Sequence, residues 1–309
     1  MAVSTAAPTA YLVDGSLYVC RAWFSQAPGG TGADGEPVHA VHGFTRFLLD
    51  LFERARPTHV AVAFDVSLTT CFRNALYPAY KANRPAAPPD LLRQFGGCRE
   101  MAHALGATVL ADARYEADDL IGSSARLLRD AGFRCVIVSA DKDFGQLIGE
   151  GDEQWDPPRR QRWDAQGVRT RLGVAPHQVA DFLALTGDAT DNVPGVPGIG
   201  ARTAAILLNH FGDLETLLAR AGEVAFLRMR GAANAALRLR EHADTARLSR
   251  ALTGIVTDAP VPAGADAYCR RACDADALAP LFDRHNLGPL TRARVRALSQ
   301  LERAAQAKA

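Results

Sequence analysis

Three short apolar runs along the chain each end in an aspartate: AYLV before Asp14, HVAVAF before Asp65 and CVIVSA before Asp141. Apolar runs of this length read as buried strands. The pattern predicts strands over 10–14, 59–64, 107–110 and 134–139, with helices over about 38–55, 90–105 and 116–131 between them. Strands that alternate with helices imply an α/β fold, with a mainly parallel central sheet flanked by helices. After about residue 176 the strand signal stops. Helical patterns follow in VADFLALTG, ARTAAILLNHF and DLETLLARA, then in an Ala/Leu/Arg-rich stretch over about 223–250. Residues 251–301 are mixed, with an Arg-rich helix near 289–304. The expected organisation is an α/β domain over 1–175 and a helical region over 176–309.

Some segments break the pattern. Residues 27–37 (APGGTGADGEP) are a polar, Gly-rich loop. Residues 67–89 are polar, basic and aromatic, with Pro78, Pro85, Pro88 and Pro89 near the end. That is too long for an ordinary connection, which marks the stretch as functional or mobile. Gly96 and Gly97 are expected to interrupt the next helix, at about 1 kcal/mol each relative to alanine. The segment 152–175 is polar and Arg-rich, and no element is predicted there.

Composition narrows the class. The chain has 309 residues, 48% hydrophobic and 22% charged, which fits a globular protein with ample material for a core. No run of about 18 apolar residues is present, so no membrane span is predicted. The start, MAVSTAAPTA, lacks a basic region and an apolar stretch, so a cytoplasmic protein with a short loose tail is expected. Six scattered cysteines show no metal-binding spacing and are expected to be reduced thiols. The net charge of +1 decides nothing about nucleic acid. Lys81, Lys142 and Lys308 are the only lysines, so an arginine needs positional support before it is assigned to phosphate.

The acids change the picture most. In open α/β sheets ligands bind beyond the carboxyl ends of the strands, where Asp14, Asp65 and Asp141 would project. A single strand-end aspartate is ordinarily a turn former or helix cap; three together weaken that reading. YEADDLIG opens a helix with Glu116, Asp118 and Asp119. One or two acids satisfy a helix dipole, but three repel one another. SADKDF adds Asp141 and Asp143, and TGDATDN adds Asp188 and Asp191. Nine such acids are enough for two hard cations, some as direct ligands and the rest orienting bound water. Two ions about 4 Å apart suit phosphodiester displacement. No GxSxG elbow or P-loop lysine motif competes, and GIGARTA lacks the strand and downstream acid of a dinucleotide site.

These motifs resemble those of the 5′-nuclease family, the flap endonucleases, and in particular the 5′→3′ exonuclease domain of bacterial DNA polymerase I. The resemblance is carried by YLVDGSLYVCRAWF (11–24), GEPVHAVHGF (35–44), VAFD (62–65), FRNALYPAYKANRP (72–85), YEADDLIG (115–122), VSADKDFGQLI (138–148) and LTGDATDNVPGVPGIGARTAAILL (185–208). It implies a PIN-like fold with a helical arch at about 67–100 and a helix–three-turn–helix motif at about 185–222. It implies two Mg²⁺ ions, with Mn²⁺ as a substitute. Asp14, Asp65, Glu116 and Asp118 would hold the first ion, Asp119 and Asp141 would lie between the sites, and Asp143, Asp188 and Asp191 would serve the second.

By the same resemblance Lys81 and Arg84 contact phosphates near the cut and join Asp14 and Asp65 as catalytic groups. Arg73 and Tyr80 become DNA contacts, with Tyr80 able to stack on a base. In the helix–three-turn–helix motif, Gly195, Gly198 and Gly200 let the backbone approach a duplex phosphate. Arg202 and Thr203 begin its second helix, whose N–H groups face that phosphate. K⁺ would sit in this loop on backbone carbonyls. The implied substrate is DNA with a 5′ flap, nick or RNA-primer remnant, cut exonucleolytically or endonucleolytically near the junction. The end near residue 309 without a polymerase region reads as a stand-alone nuclease or a cut-out domain, and Met1 favours the first; a monomer is expected, with a separate DNA polymerase as a candidate partner. Two rivals are a non-catalytic junction-binding protein and a PIN-type ribonuclease, the latter usually shorter and without the arch or GIG loop.

Overall fold

The computed structural model describes residues 7–25, 29–67, 70–273 and 275–306. The first six residues of the expected N-terminal tail lie outside them, as do residues 27–28 of the Gly-rich loop and 68–69 of the expected arch. The chain begins with β1 (Thr9–Asp14), α1 (Gly15–Ser25), α2 (His39–Ala55), β2 (His59–Asp65), α3 (Phe72–Leu76), α4 (Pro89–Ala104), β3 (Thr108–Asp112), α5 (Ala117–Asp130) and β4 (Arg134–Val138). It continues with β5 (Glu153–Asp156), β6 (Gln161–Trp163), α6 (Ala165–Leu172), α7 (Val179–Thr186), α8 (Ala201–Phe211), α9 (Leu214–Ala219), α10 (Ala232–Glu241), α11 (Ala243–Thr253), α12 (Ala279–Arg284) and α13 (Pro289–Gln306).

The six strands form one sheet in the order β3-β2-β1-β4-β5-β6. The first five run parallel and β6 pairs antiparallel with β5. β1 lies at the centre, with Val13 beside Val62 on one side and Val138 on the other. The chain winds from β1 outward through β2 and β3, then crosses to the opposite flank at β4. The crevice between β1 and β4 is therefore the topological switch point, the place where open α/β sheets bind ligands.

Strand residues alternate between two cores, as the period of a strand requires. Leu12, Ala61, Ala63 and Ile137 face a core shared with α5 and α7–α10. Val13, Val60, Val62, Phe64 and Val138 face a second core with α1, α2 and α4. Phe282, Val295 and Leu298 from α12 and α13 join that second core. The last part of the chain thus crosses the amino ends of the strands, where Arg270 N donates to Thr58 O at 2.7 Å and Arg271 N to Gly106 O at 3.0 Å. The residues expected as one helical region over 176–309 cover both faces of the sheet.

Two expectations change. α4 is unbroken through Gly96 and Gly97. A Cβ at Gly97 would lie 2.8 Å from His285 Cε1 and 3.0 Å from Val41 Cγ2, so its missing side chain lets α4 pack closely on α2. The segment 152–175 holds β5, β6 and α6. Its pattern was illegible because EQWD and QRW are short and polar, and β6 is an exposed edge. No helix among the described residues is long and apolar enough to cross a membrane.

Candidate active site

Seven of the nine acids line one cleft of about 750 Å³: Asp14, Asp65, Glu116, Asp118, Asp141, Asp143 and Asp191. Lys81 and Arg84 line it too. The cleft opens beyond the carboxyl ends of β1, β2 and β4, because each apolar strand delivers its terminal aspartate to that edge.

Local hydrogen bonds fix the acids. Asp14 is 5% exposed, accepts from Leu17 N at 3.0 Å and from Ser139 Oγ at 2.9 Å. Asp65 accepts from Ala117 N at 2.9 Å, so β2 holds the first turn of α5. Asp141 accepts from Asp143 N at 3.0 Å and opens a short 3₁₀ turn over Lys142–Leu147. Glu116 precedes α5; its Oε2 accepts from Arg73 and Tyr80, each at 3.0 Å, and its Oε1 pairs with Lys81. Asp191 pairs with Arg84 and lies 3.8 Å from Lys81 Nζ.

The electrostatics show mutual repulsion. Burial pushes the Asp14 carboxyl up to about 7, and Asp65 and Asp141 add to the rise. Burial also lifts Asp118 well above the carboxylate range, reinforced by Asp14 and Asp141. Asp143 rises to about 7 through burial and Asp141. Glu116 goes the other way: burial is overcome by Lys81 and Arg73, and its carboxyl is lowered. Asp143 Oδ1 is buried and accepts no hydrogen bond, with Lys142 Nζ 3.5 Å away. Among the described residues, no three or more His, Cys, Asp or Glu side chains converge into a ready-made ion cage. The donor set is nonetheless all oxygen, mutually repelling and partly unpartnered, and that chemistry fits a hard divalent cation.

The structure separates some expected site residues from the cleft. Asp119 is fully buried, and both its oxygens are engaged by Arg73, Glu116 N and Val256 N at 2.7–3.1 Å. Arg73 is 2% exposed, and it also donates to the carbonyls of Leu252 and Gly254, each at 2.8 Å. Asp119 is thus paired with a protein cation, Arg73 is a buried tie between α5 and the end of α11, and neither lines the cleft. Tyr80 is 4% exposed, with its hydroxyl on Glu116 and its ring in a small core with Cys71, Val193 and Leu252. Asp188 does not line the cleft; its Oδ2 accepts from Lys142 Nζ at 2.6 Å, and although burial opposes this, Lys142 lowers its carboxyl.

The expected arch is compact where it is described. α3 is followed by turns through Lys81, whose N donates to Asp191 O at 2.9 Å. Asn83 Nδ2 donates to Ala189 O and Asn192 Nδ2 to Ala79 O, each at 2.7 Å. Lys142 and Ser139 are the site-forming residues the sequence reading missed. Lys142 sits between two predicted ligands in ADKD, and that juxtaposition was the available signal.

In the helix–three-turn–helix segment, Gly198 and Gly200 are exposed and Gly200 precedes α8. Arg202 is exposed and Thr203 half-buried in its first turn, where helix N–H groups lack partners within the helix. Gly195 differs from expectation. It is buried at φ 64°, and a Cβ there would lie 2.7 Å from Gly187 Cα, so the missing side chain serves a close internal contact.

Residues 9–173 match the 5′-3′ exonuclease N-terminal resolvase-like domain, and residues 174–276 match the 5′-3′ exonuclease C-terminal SAM fold. The chain belongs to the 5′-3′ exonuclease family. Among curated relatives, DNA polymerase I of Rhizobium leguminosarum is 42% identical over 264 residues, covering 83% of this chain and 25% of that protein. DNA polymerase I of Pseudomonas aeruginosa is 41% identical, covering 80% of this chain and 27% of that protein. This 5′-3′ exonuclease family member thus spans about a quarter of the length of those relatives. Its fold is similar to that of the phage T5 5′-exonuclease solved with zinc, with a TM-score of 0.66, 17% identity, and coverage of 94% of this chain and 98% of that one. The catalytic core of Rad2 with DNA substrate has a TM-score of 0.64 at 14% identity, covering 94% and 92%.

Proposed function

We propose that this chain is a divalent-metal-dependent, structure-specific 5′ nuclease that hydrolyses DNA phosphodiesters near a 5′ single-strand/duplex junction. The observation that carries the reading is the single cleft in which seven carboxylates meet Lys81 and Arg84 at the sheet's switch point. Asp14, Asp65, Glu116, Asp118, Asp141, Asp143 and Asp191 would hold the metal, with Mg²⁺ as the physiological ion. A divalent ion bound there supplies charge neutralisation and lowers the pKa of water, which phosphodiester hydrolysis requires.

The chain's own residues do the rest. Lys81 and Arg84 stand beside the acids at the mouth of the cleft and bind the phosphate to be cut, as charge-assisted donors. Their present partners, Glu116 and Asp191, hold them close to where that phosphate enters. Ser139 and Leu17 N fix the two oxygens of Asp14, so its carboxylate cannot rotate away. Gly198, Gly200, Arg202 and the first turn of α8 hold duplex phosphates, a contact that positions without reading sequence. Monovalent K⁺ on the loop carbonyls would stiffen that grip. The division of labour is catalysis in 1–175 and duplex binding in 176–309. Substrates are 5′ flaps, nicks and RNA-primer remnants, supplied where a DNA polymerase has displaced a strand.

Asp141→Ala and Asp143→Ala test the assignment. Each is expected to lose cutting of a labelled 5′-flap duplex in Mg²⁺ by at least about a hundredfold while flap binding in EDTA is retained, since removing one electrostatic catalytic group typically costs about 10²–10³. Full activity in either variant would refute the metal assignment.

A further inference from the structure

Helix α1 is a wall shared by two clefts. Ser16, Leu17 and Cys20 face the acid cleft. Tyr18 and Arg21 face a second cleft of about 310 Å³, completed by Arg46 and Arg54 from α2 and by Arg160 from the β5–β6 turn. The sign of charge is opposite on the two sides. The nearby acids of the second cleft have cationic partners: Asp156 has Arg21 at 3.3 Å and Arg159 at 3.7 Å, though its Oδ2 accepts no hydrogen bond, and Asp50 has Arg294 at 2.6 Å. Among the described residues the side chains of Arg46, Arg54 and Arg160 make no ion pair or hydrogen bond. Three unpaired guanidinium groups around one concavity repel one another unless an anion joins them.

A second observation points the same way. Tyr18 is 2% exposed and stacked on Phe47, with ring centroids 3.8 Å apart. Tyr18 is part of the cleft wall, and its buried hydroxyl has no hydrogen-bond partner. Buried polar groups are nearly always satisfied, and an orphan calls for an explanation. An unpartnered donor in the wall of a cleft rich in arginine can be satisfied by the acceptor oxygens of an anion.

We propose that this cleft binds a phosphate group, apart from the acid site and without divalent metal, with Arg46, Arg54 and Arg160 supplying charge and the Tyr18 hydroxyl the inner hydrogen bond. Planar guanidinium forks suit phosphate oxygens better than single charges do. Two sources have this chemistry. One is the backbone of a nucleic acid lying over α1, which rests on the nuclease reading; the other is a free phosphate or mononucleotide, which does not.

The test uses the whole chain in EDTA, so that no divalent ion in the acid cleft contributes; binding by Lys81 and Arg84 is common to wild type and variants. Inorganic phosphate and a 5′-mononucleotide are titrated by calorimetry, and a labelled 5′-flap duplex by anisotropy over a range of salt. Arg46→Gln/Arg160→Gln is expected to weaken the bound probe about tenfold or more. If the duplex is the source, its log–log salt slope falls by about 2, because two phosphate contacts are lost; if only the small anions respond, the source is free phosphate. Tyr18→Phe is expected to weaken binding about threefold, the worth of one hydrogen bond, while the ligand-free chain melts no earlier. Arg126→Gln, an exposed arginine outside the cleft, is the control. Equal binding of every probe by wild type and variants, or equal weakening by the control, overturns the proposal. Flap cutting in Mg²⁺ is read in parallel: cutting with unchanged variant binding removes the phosphate site alone, and weakened variant binding without any cutting in wild type removes the nuclease reading alone.

Discussion

At the scale of single residues, the site is organised around Arg73 as much as around its acids. Its guanidinium engages Glu116 and Asp119 on α5 and the carbonyls of Leu252 and Gly254 beyond α11. Removing one partner of a buried pair leaves an uncompensated charge, so Arg73→Ala is expected to destabilise the chain by about 3–5 kcal/mol in chemical denaturation. Arg73→Lys recovers little, because an ammonium is a compact charge and cannot span two carboxylates and two carbonyls. A loss below about 1 kcal/mol would show that the tie is unimportant. This role was not legible in the sequence. Asp119 and Arg73 stand in motifs full of site residues, and only the tertiary arrangement shows that they pair with each other. Asp14, Asp65 and Asp141 were legible, because an apolar strand followed by an acid fixes both the register and the edge at which the acid emerges.

Among the elements, α4 and the β5–β6 pair were the least readable. Gly96 and Gly97 have identical local cost, yet their surroundings differ. A Cβ at Gly96 meets nothing within 4 Å, whereas at Gly97 it meets Val41 and His285. Gly96→Ala is therefore expected to stabilise the helix by about 1 kcal/mol. Gly97→Ala forces α4 from α2 and is expected to cost about 1–3 kcal/mol net. Thermal melting of the two variants decides; equal shifts would contradict the packing argument. β5 and β6 escaped the pattern because their residues are polar and few, and a sheet edge does not need an apolar run.

Over the whole molecule, the sequence divides into an α/β part and the helices after residue 176, and says nothing of how the two pack. The helices share the sheet's cores, α7–α10 on one face and α12–α13 on the other. No pattern in a single element reports which sheet face it will cover, so that wrapping was invisible in the sequence. The shared cores tie the stability of the whole chain to the charge state of the acid cleft. Asp14 and Asp143 rise in the folded chain to about 7 from 3.8. Between those values the folded state binds more protons than the unfolded one, so their contribution to stability falls as pH rises from about 4 to about 7. The lowered carboxyls of Glu116 and Asp188 lose their contribution only at lower pH, below their ordinary values of 4.5 and 3.8. His59 and His285 are lowered by burial and act in the opposite sense, losing stability as pH falls below 6.5. Urea midpoints in EDTA, compared between the wild type and Asp143→Asn, cancel the histidines. The difference is expected to move against the wild type between pH 5 and 7, and Mg²⁺ is expected to reverse it by binding the folded state. A pH-independent difference would contradict the repulsion inferred for the cleft.

The central claim is that one acid cleft cuts DNA at a 5′ junction with the help of a divalent ion. Product mapping on a 5′-flap duplex, labelled at either end and set beside single-stranded RNA, tests it most directly. The account predicts Mg²⁺-dependent cleavage within a nucleotide or so of the flap junction, silence in EDTA, and little action on the RNA. An intact flap in Mg²⁺ and Mn²⁺ alike, or RNA cut as readily as the flap, would contradict it.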